Sequence, residues 1–108
     1  LAAYTYDSNL EAVARAHCAD MAARDYLDHT SPDGVTLSQR LDDAGIYYVS
    51  AAENLASGFT AADKVLKAWL NSPKHSANIL SSEFTKIGIG FATGGSNGTY
   101  WNIIFVSE

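Results

Sequence analysis

The last third of the chain reads Lys86-Ile-Gly-Ile-Gly-Phe-Ala-Thr93, then Gly94-Gly-Ser-Asn-Gly98, then Thr99-Tyr-Trp-Asn-Ile-Ile-Phe-Val106. Two runs rich in β-branched and aromatic residues around a glycine-rich loop predict an antiparallel hairpin. The chain upstream is mostly helical in pattern. From Ser8 to His29 the positions Leu10, Val13, Ala14, His17 and Met21 recur at helical spacing, and Ser8 with Glu11 is placed as a capping box. The turn cluster His29-Thr30-Ser31-Pro32-Asp33-Gly34 ends that run. A shorter helix is predicted from Thr36 to Ala44, with Thr36 and Gln39 as a second capping box and Gly45 as its stop. Residues 46–56 begin with β-formers and decay into small residues, which predicts a short strand running into an irregular stretch. Helical spacing returns from Thr60, placed as N-cap, to Leu70, with Ala61, Val65, Ala68 and Trp69 as the buried stripe. Pro73 then suits the first position of a further helical turn reaching Leu80. Helices followed by a hairpin imply an α+β fold, expected as one unit over residues 1–108, with the helices packed on a small antiparallel sheet.

The 108 residues are 47% hydrophobic and 18% charged, which supplies enough apolar surface for one core. Seven basic against twelve acidic side chains give a net charge of −5, and the basic residues are scattered. Nucleic acid and anionic membrane surfaces are therefore not expected partners. No apolar run exceeds four residues, far short of the roughly 20 a membrane-spanning helix needs. The single Cys18 excludes both an internal disulfide framework and a cysteine-rich zinc module.

Chemistry is concentrated in a few polar residues. His29 ends the first helical run one turn after Asp25, a spacing that lets a carboxylate orient the imidazole. His75 follows Pro73 in the first turn of the next helix. Glu53 sits in the run Ser50-Ala-Ala-Glu-Asn-Leu-Ala56, and an acid in such a run lies either on an exposed strand edge or inside a cleft held by partners. His29, Glu53 and His75 together have the ligand types of a three-ligand divalent-metal site, although no short metal-ligand spacing accompanies them. His17 and Cys18 are adjacent on a helix and do not face each other, so they read as a core or boundary histidine and a small buried hydrophobe. Ser72 and Ser76 near His75 lack the strained turn and third member of a serine nucleophile. The glycines of the hairpin loop join two strands and open no helix, so they form no phosphate cradle.

The order of motifs resembles the CAP superfamily, the cysteine-rich secretory, antigen-five and pathogenesis-related proteins, in its compact prokaryotic form. The resemblance is carried by His29-Thr-Ser-Pro-Asp-Gly34, Arg40 with Gly45, Ala52-Glu-Asn-Leu-Ala56, Trp69-Leu-Asn-Ser-Pro-Lys-His75, Asn78-Ile-Leu80, Phe84-Thr-Lys-Ile-Gly-Ile-Gly90, and Tyr100-Trp101 with Phe105. It implies a three-layer α-β-α sandwich around a central antiparallel sheet with an open cleft. It also implies a cavity tetrad, in which His29 and His75 match the two histidines that can bind a divalent metal, often zinc, and Glu53 matches one acid. The second acid falls on Ser72, so the tetrad is incomplete, and Asn102-Ile103 stand where Thr-Gln is common. Losing that carboxylate removes a charge that would hold a cation or act as a base.

From this resemblance the expected protein is secreted or surface-exposed, a non-catalytic extracellular module that binds a protein, lipid or small molecule in the His29, Glu53, Ser72 and His75 cleft. Two alternatives accompany it. One is a zinc-dependent, peptidase-like hydrolase in which His29 and His75 hold the metal and Glu53 activates water. The other is a lipid or sterol carrier, which requires a sizeable apolar groove that the sequence does not display.

Overall fold

The computed structural model describes residues 4–108. The elements are β1 (Thr5–Tyr6), α1 (Ser8–Arg24), α2 (Leu37–Asp43), β2 (Ser50–Ser57), α3 (Ala62–Leu70), α4 (Pro73–Ile79), β3 (Lys86–Gly94) and β4 (Gly98–Ser107). The expected hairpin is present: β3 and β4 pair antiparallel from Lys86↔Val106 to Gly94↔Gly98. The sheet order is β1-β3-β4-β2, with β2 antiparallel to β4. The short β1 joins β3 in parallel, so the sheet is mixed at that edge instead of wholly antiparallel.

β4 explains the layering. It is buried on both faces from Tyr100 to Ser107 and reads as a nearly continuous apolar run. Its alternate residues divide the core. Ile104 and Val106 pack with Leu10, Val13, Ala14 and Leu41 of α1 and α2, and Tyr100 packs with Cys18, Met21 and Ala22. Trp101, Ile103 and Phe105 face the other way, onto Val65 and Trp69 of α3. Tyr4 donates from its hydroxyl to the Ile79 carbonyl at 2.6 Å, fastening the end of α4 to this second layer. The result is the α-β-α sandwich the resemblance implies.

Several element boundaries differ from the sequence reading. The cap of α1 is Asp7, whose carboxylate accepts from the Asn9 and Leu10 N–H groups at 2.8 and 3.0 Å, so Ser8 lies inside the helix and the Ser8/Glu11 box does not form. The helix stops at Arg24, five residues before His29, because Asp25 takes the left-handed conformation (φ 58°). A loop contact far along the chain holds it there: the Asp25 carboxylate accepts from the Ser96 N–H and hydroxyl, each at 2.8 Å. The Thr36/Gln39 capping box of α2 is present as expected. β2 is displaced from the β-forming residues onto the small ones. Tyr47 and Val49 are 73% and 67% exposed, whereas Ala51 to Ala56 pair with β4. α3 is capped by Ala61 without a side-chain bond, in place of Thr60. Pro73 occupies the start of α4 as expected.

Candidate functional site

β2 positions the site because consecutive strand residues point to opposite faces. Glu53 points toward α1 and α2, and its side chain is 1% exposed. Its Oε1 accepts from His29 Nδ1 at 2.9 Å and from Arg40 Nη2 at 2.9 Å. The same Arg40 nitrogen donates to the His29 carbonyl at 3.0 Å, so one guanidinium fixes both the acid and the backbone of the histidine. Asn54, the next residue, points the other way. Its Nδ2 donates to the His75 carbonyl at 3.1 Å, and its Oδ1 accepts from Asn78 Nδ2 at 2.9 Å. Two adjacent residues of one strand thus hold the two histidine segments from opposite sides.

The turn carrying His29 is itself braced. His17 is buried on the inner face of α1, and its Nε2 pairs with the Asp28 carbonyl at 2.9 Å, one residue before His29. The Val35 N–H donates to Ser31 Oγ at 3.0 Å, and Arg24 reaches Asp33 at 2.9 Å. Burial lowers the affinity of His17 for a second proton, and the Arg40 charge adds to the effect, so His17 is a neutral core residue as expected. Cys18 is fully buried, and burial pushes its thiol up to about 12, which leaves it an inert hydrophobe.

Burial by itself would raise the Glu53 carboxyl. The hydrogen bond from His29 and the charge and hydrogen bond of Arg40 outweigh it, so Glu53 is held below the usual carboxylate range and is ionised. An ionised acceptor requires a proton on His29 Nδ1. In a neutral ring the Nε2 lone pair is then left free as a donor to a ligand. His75 is lowered from its ordinary value, first by burial and then by the charges of Lys74 and His29.

Asp25, expected to orient His29, is instead bound to Ser96; Glu53 does the orienting. Ser72 caps α4 without a side-chain cap bond, and Ser76 Oγ donates to the Pro73 carbonyl, so neither serine is paired with His75. Tyr100 and Trp101 are core residues. Among the described residues no group of three or more His, Cys, Asp or Glu side chains is disposed to hold a metal ion. Arg40 and His29 both reach Oε1, so Glu53 supports His29 from behind. His29 and His75 remain as metal-binding groups of the right type.

Arg40 and Asn54 brace the candidate site, and sequence reasoning passed over both, since they entered only as parts of motifs. One signal pointed to Arg40: a buried acid requires a cation. Arg40 also borders a groove of about 470 Å³ between α1 and α2, lined besides by Asn9, Ala12, Val13, Ala16, Asp43 and Ala44.

Comparison with known proteins follows the same line. The sequence matches the cysteine-rich secretory protein family, CAP, over residues 1–107. The uncharacterised Bacillus subtilis (strain 168) protein YkwD is 41% identical over 102 residues, 94% of this chain and 38% of its own length. The uncharacterised membrane protein YlbC of the same organism is 31% identical over 90 residues, 83% of this chain and 26% of its own. The chain therefore spans well under half the length of these curated relatives. An extracellular protein containing an SCP domain from Bacillus anthracis has the same fold at a TM-score of 0.89 and 30% identity, over 100% of this chain and 35% of its own. An outer surface protein from Borrelia burgdorferi also reaches 0.89, at 28% identity, over 100% of this chain and 80% of its own. No described helix is long and apolar enough to cross a membrane. With motif order, layered fold and family match in agreement, the chain belongs to the CAP family of cysteine-rich secretory proteins.

Proposed function

We propose that this chain is a non-catalytic binding domain working outside the cell or on its surface, and that its ligand site is the cleft around His29, Glu53, Ser72 and His75. The observation that carries the reading is the state of Glu53. Its side chain is 1% exposed and its Oε1 is tied to both Arg40 and His29, which favours a supporting place behind His29 over that of a base acting on water in an open cleft. Its place is behind His29, presenting the free Nε2 of that ring. The extracellular and outer-surface relatives support the location.

A divalent cation such as zinc, where it binds, would be held by His29 and His75 and would supply a positive charge for an anionic ligand group. Two neutral imidazoles without a carboxylate make a weak site, with a Kd above about 1 μM. Titration calorimetry of chelator-treated protein with zinc, alongside a peptide-library cleavage assay with and without the metal, tests the proposal. The expected result is weak zinc binding lost in His29→Ala, weakened about 10- to 100-fold in Glu53→Gln through the support of His29, and no cleavage. A defined turnover that disappears in Glu53→Ala while the fold persists would establish a hydrolase instead. Stabilisation by a fatty acid or sterol in a thermal-shift screen, unaffected by His29→Ala, would move the ligand site to the groove between α1 and α2.

A further inference from the structure

Five buried polar atoms on three side chains have no hydrogen-bond partner among the described residues: Glu53 Oε2, Asn102 Oδ1 and Nδ2, and Arg40 Nε and Nη1. Asn102 is fully buried. It lies in β4 opposite Leu55 on one side and Gly90 on the other, while Glu53 lies opposite Ile104. That register places Glu53 and Asn102 on the same face of the sheet as diagonal neighbours, about 7–8 Å apart and somewhat closer between their Cβ atoms. Along β4, Asn102 falls between Ile104, which packs on Ala14, and Tyr100, which packs on Cys18. Its amide therefore lies beneath the turn of α1 that carries His17, where the Glu53 and Arg40 charges also act.

A buried amide with both ends unpartnered, beside a carboxylate oxygen and a guanidinium in the same condition, specifies its occupant. Glu53 repels an anion and Arg40 repels a cation. An apolar filling leaves every one of these groups unsatisfied. Water alone donates to Oε2 and Oδ1 while accepting from Nδ2 and the guanidinium. We propose that at least one ordered water is enclosed between Asn102, Glu53 Oε2 and Arg40, and that Asn102 is thereby a positioning residue for the Glu53 carboxylate that supports His29. This rests on the hydrogen-bonding groups alone and holds whether or not the cleft takes a metal.

The test begins with the unaltered, metal-free protein, labelled with nitrogen-15. Cross-relaxation between water and the Asn102 side-chain amide protons is expected to carry the sign of a long-lived contact. In Asn102→Leu that contact and its counterpart at the Arg40 Nε–H are lost, and the His29 Nδ1–H resonance shifts. Asn102→Ser, which keeps a polar group and leaves room for water, restores both. In a double-mutant cycle, Asn102→Leu and Glu53→Gln are expected to be non-additive by at least threefold in the unfolding equilibrium constant. An Asn102 amide without water contact, or bonded directly to protein groups in a high-resolution crystal structure, overturns the enclosed water. An unmoved His29 resonance in folded Asn102→Leu overturns the positioning role.

Discussion

Glu53 keeps its charge beneath a helix only because Arg40 and His29 both reach Oε1. A buried ion pair is costly to break, since removing one partner leaves the other uncompensated. Arg40→Met is therefore expected to destabilise the protein by about 3–5 kcal/mol in urea unfolding, and adding Glu53→Leu to it should recover most of the loss. Recovery of nothing would mean that Arg40 acts elsewhere. At this scale the sequence told half the story. Glu53 stood out as an acid in a run of small residues, but its two alternatives stayed open until the fold buried it. Arg40 gave little sign of its role because its partners, His29 and Glu53, are 11 and 13 positions away. Asp25 misled for the converse reason: a favourable local spacing to His29 lost to Ser96, a partner 71 positions away.

Among the elements, those whose ends are set by local chemistry were legible. The Thr36/Gln39 box fixes α2, and Pro73 starts α4. Thr36→Ala should cost about 1 kcal/mol, seen as a lower urea midpoint with an unchanged slope. Elements shaped by neighbours were misplaced. β2 runs through Ala51, Ala52 and Ala56 because a place beside β4 was available there, and the better β-formers at Tyr47 and Val49 lie exposed before it. The glycines of β3 have a purpose that no turn signal announces. A Cβ on Gly90 would overlap the backbone of Ala14 and Arg15, and one on Gly88 would overlap Leu10 and Glu11. α1 thus lies directly on the strand. Gly90→Ala is expected to lower stability by at least about 2 kcal/mol, because the obstruction is helix backbone that cannot rotate aside. A midpoint within error of the unaltered protein would show that α1 shifts freely.

Over the whole molecule, stability follows pH through the buried titratable groups. His17 is lowered from its ordinary 6.5, chiefly by burial, so below that value the unfolded chain binds a proton that the native state refuses. Stability is accordingly expected to fall as pH drops from 7.5 toward 5.5, with His75 contributing in the same direction. Glu53 is also held down, so its contribution is complete above its ordinary value of 4.5 and is lost only as pH falls further. Chemical unfolding across pH 7.5 to 3.5 should show two successive declines, the first flattened in His17→Asn. A first decline unchanged in that variant would assign it to other groups.

The sequence by itself determined the four helical segments, the closing hairpin, the chain's likeness to CAP proteins and the candidate residues His29, Glu53 and His75. Those features follow from periodicity, turn chemistry and motif order, all of which are written along the chain. Only the tertiary structure decided where those residues stand and what they touch. It ended α1 at Asp25, slid β2 onto alanines, and joined His29, Arg40 and Glu53 into one hydrogen-bonded unit with Asn102 on the same face. The physical reason is common to all three. Each rests on a partner remote in sequence, and burial makes an unpaired polar group too costly to leave for solvent to satisfy.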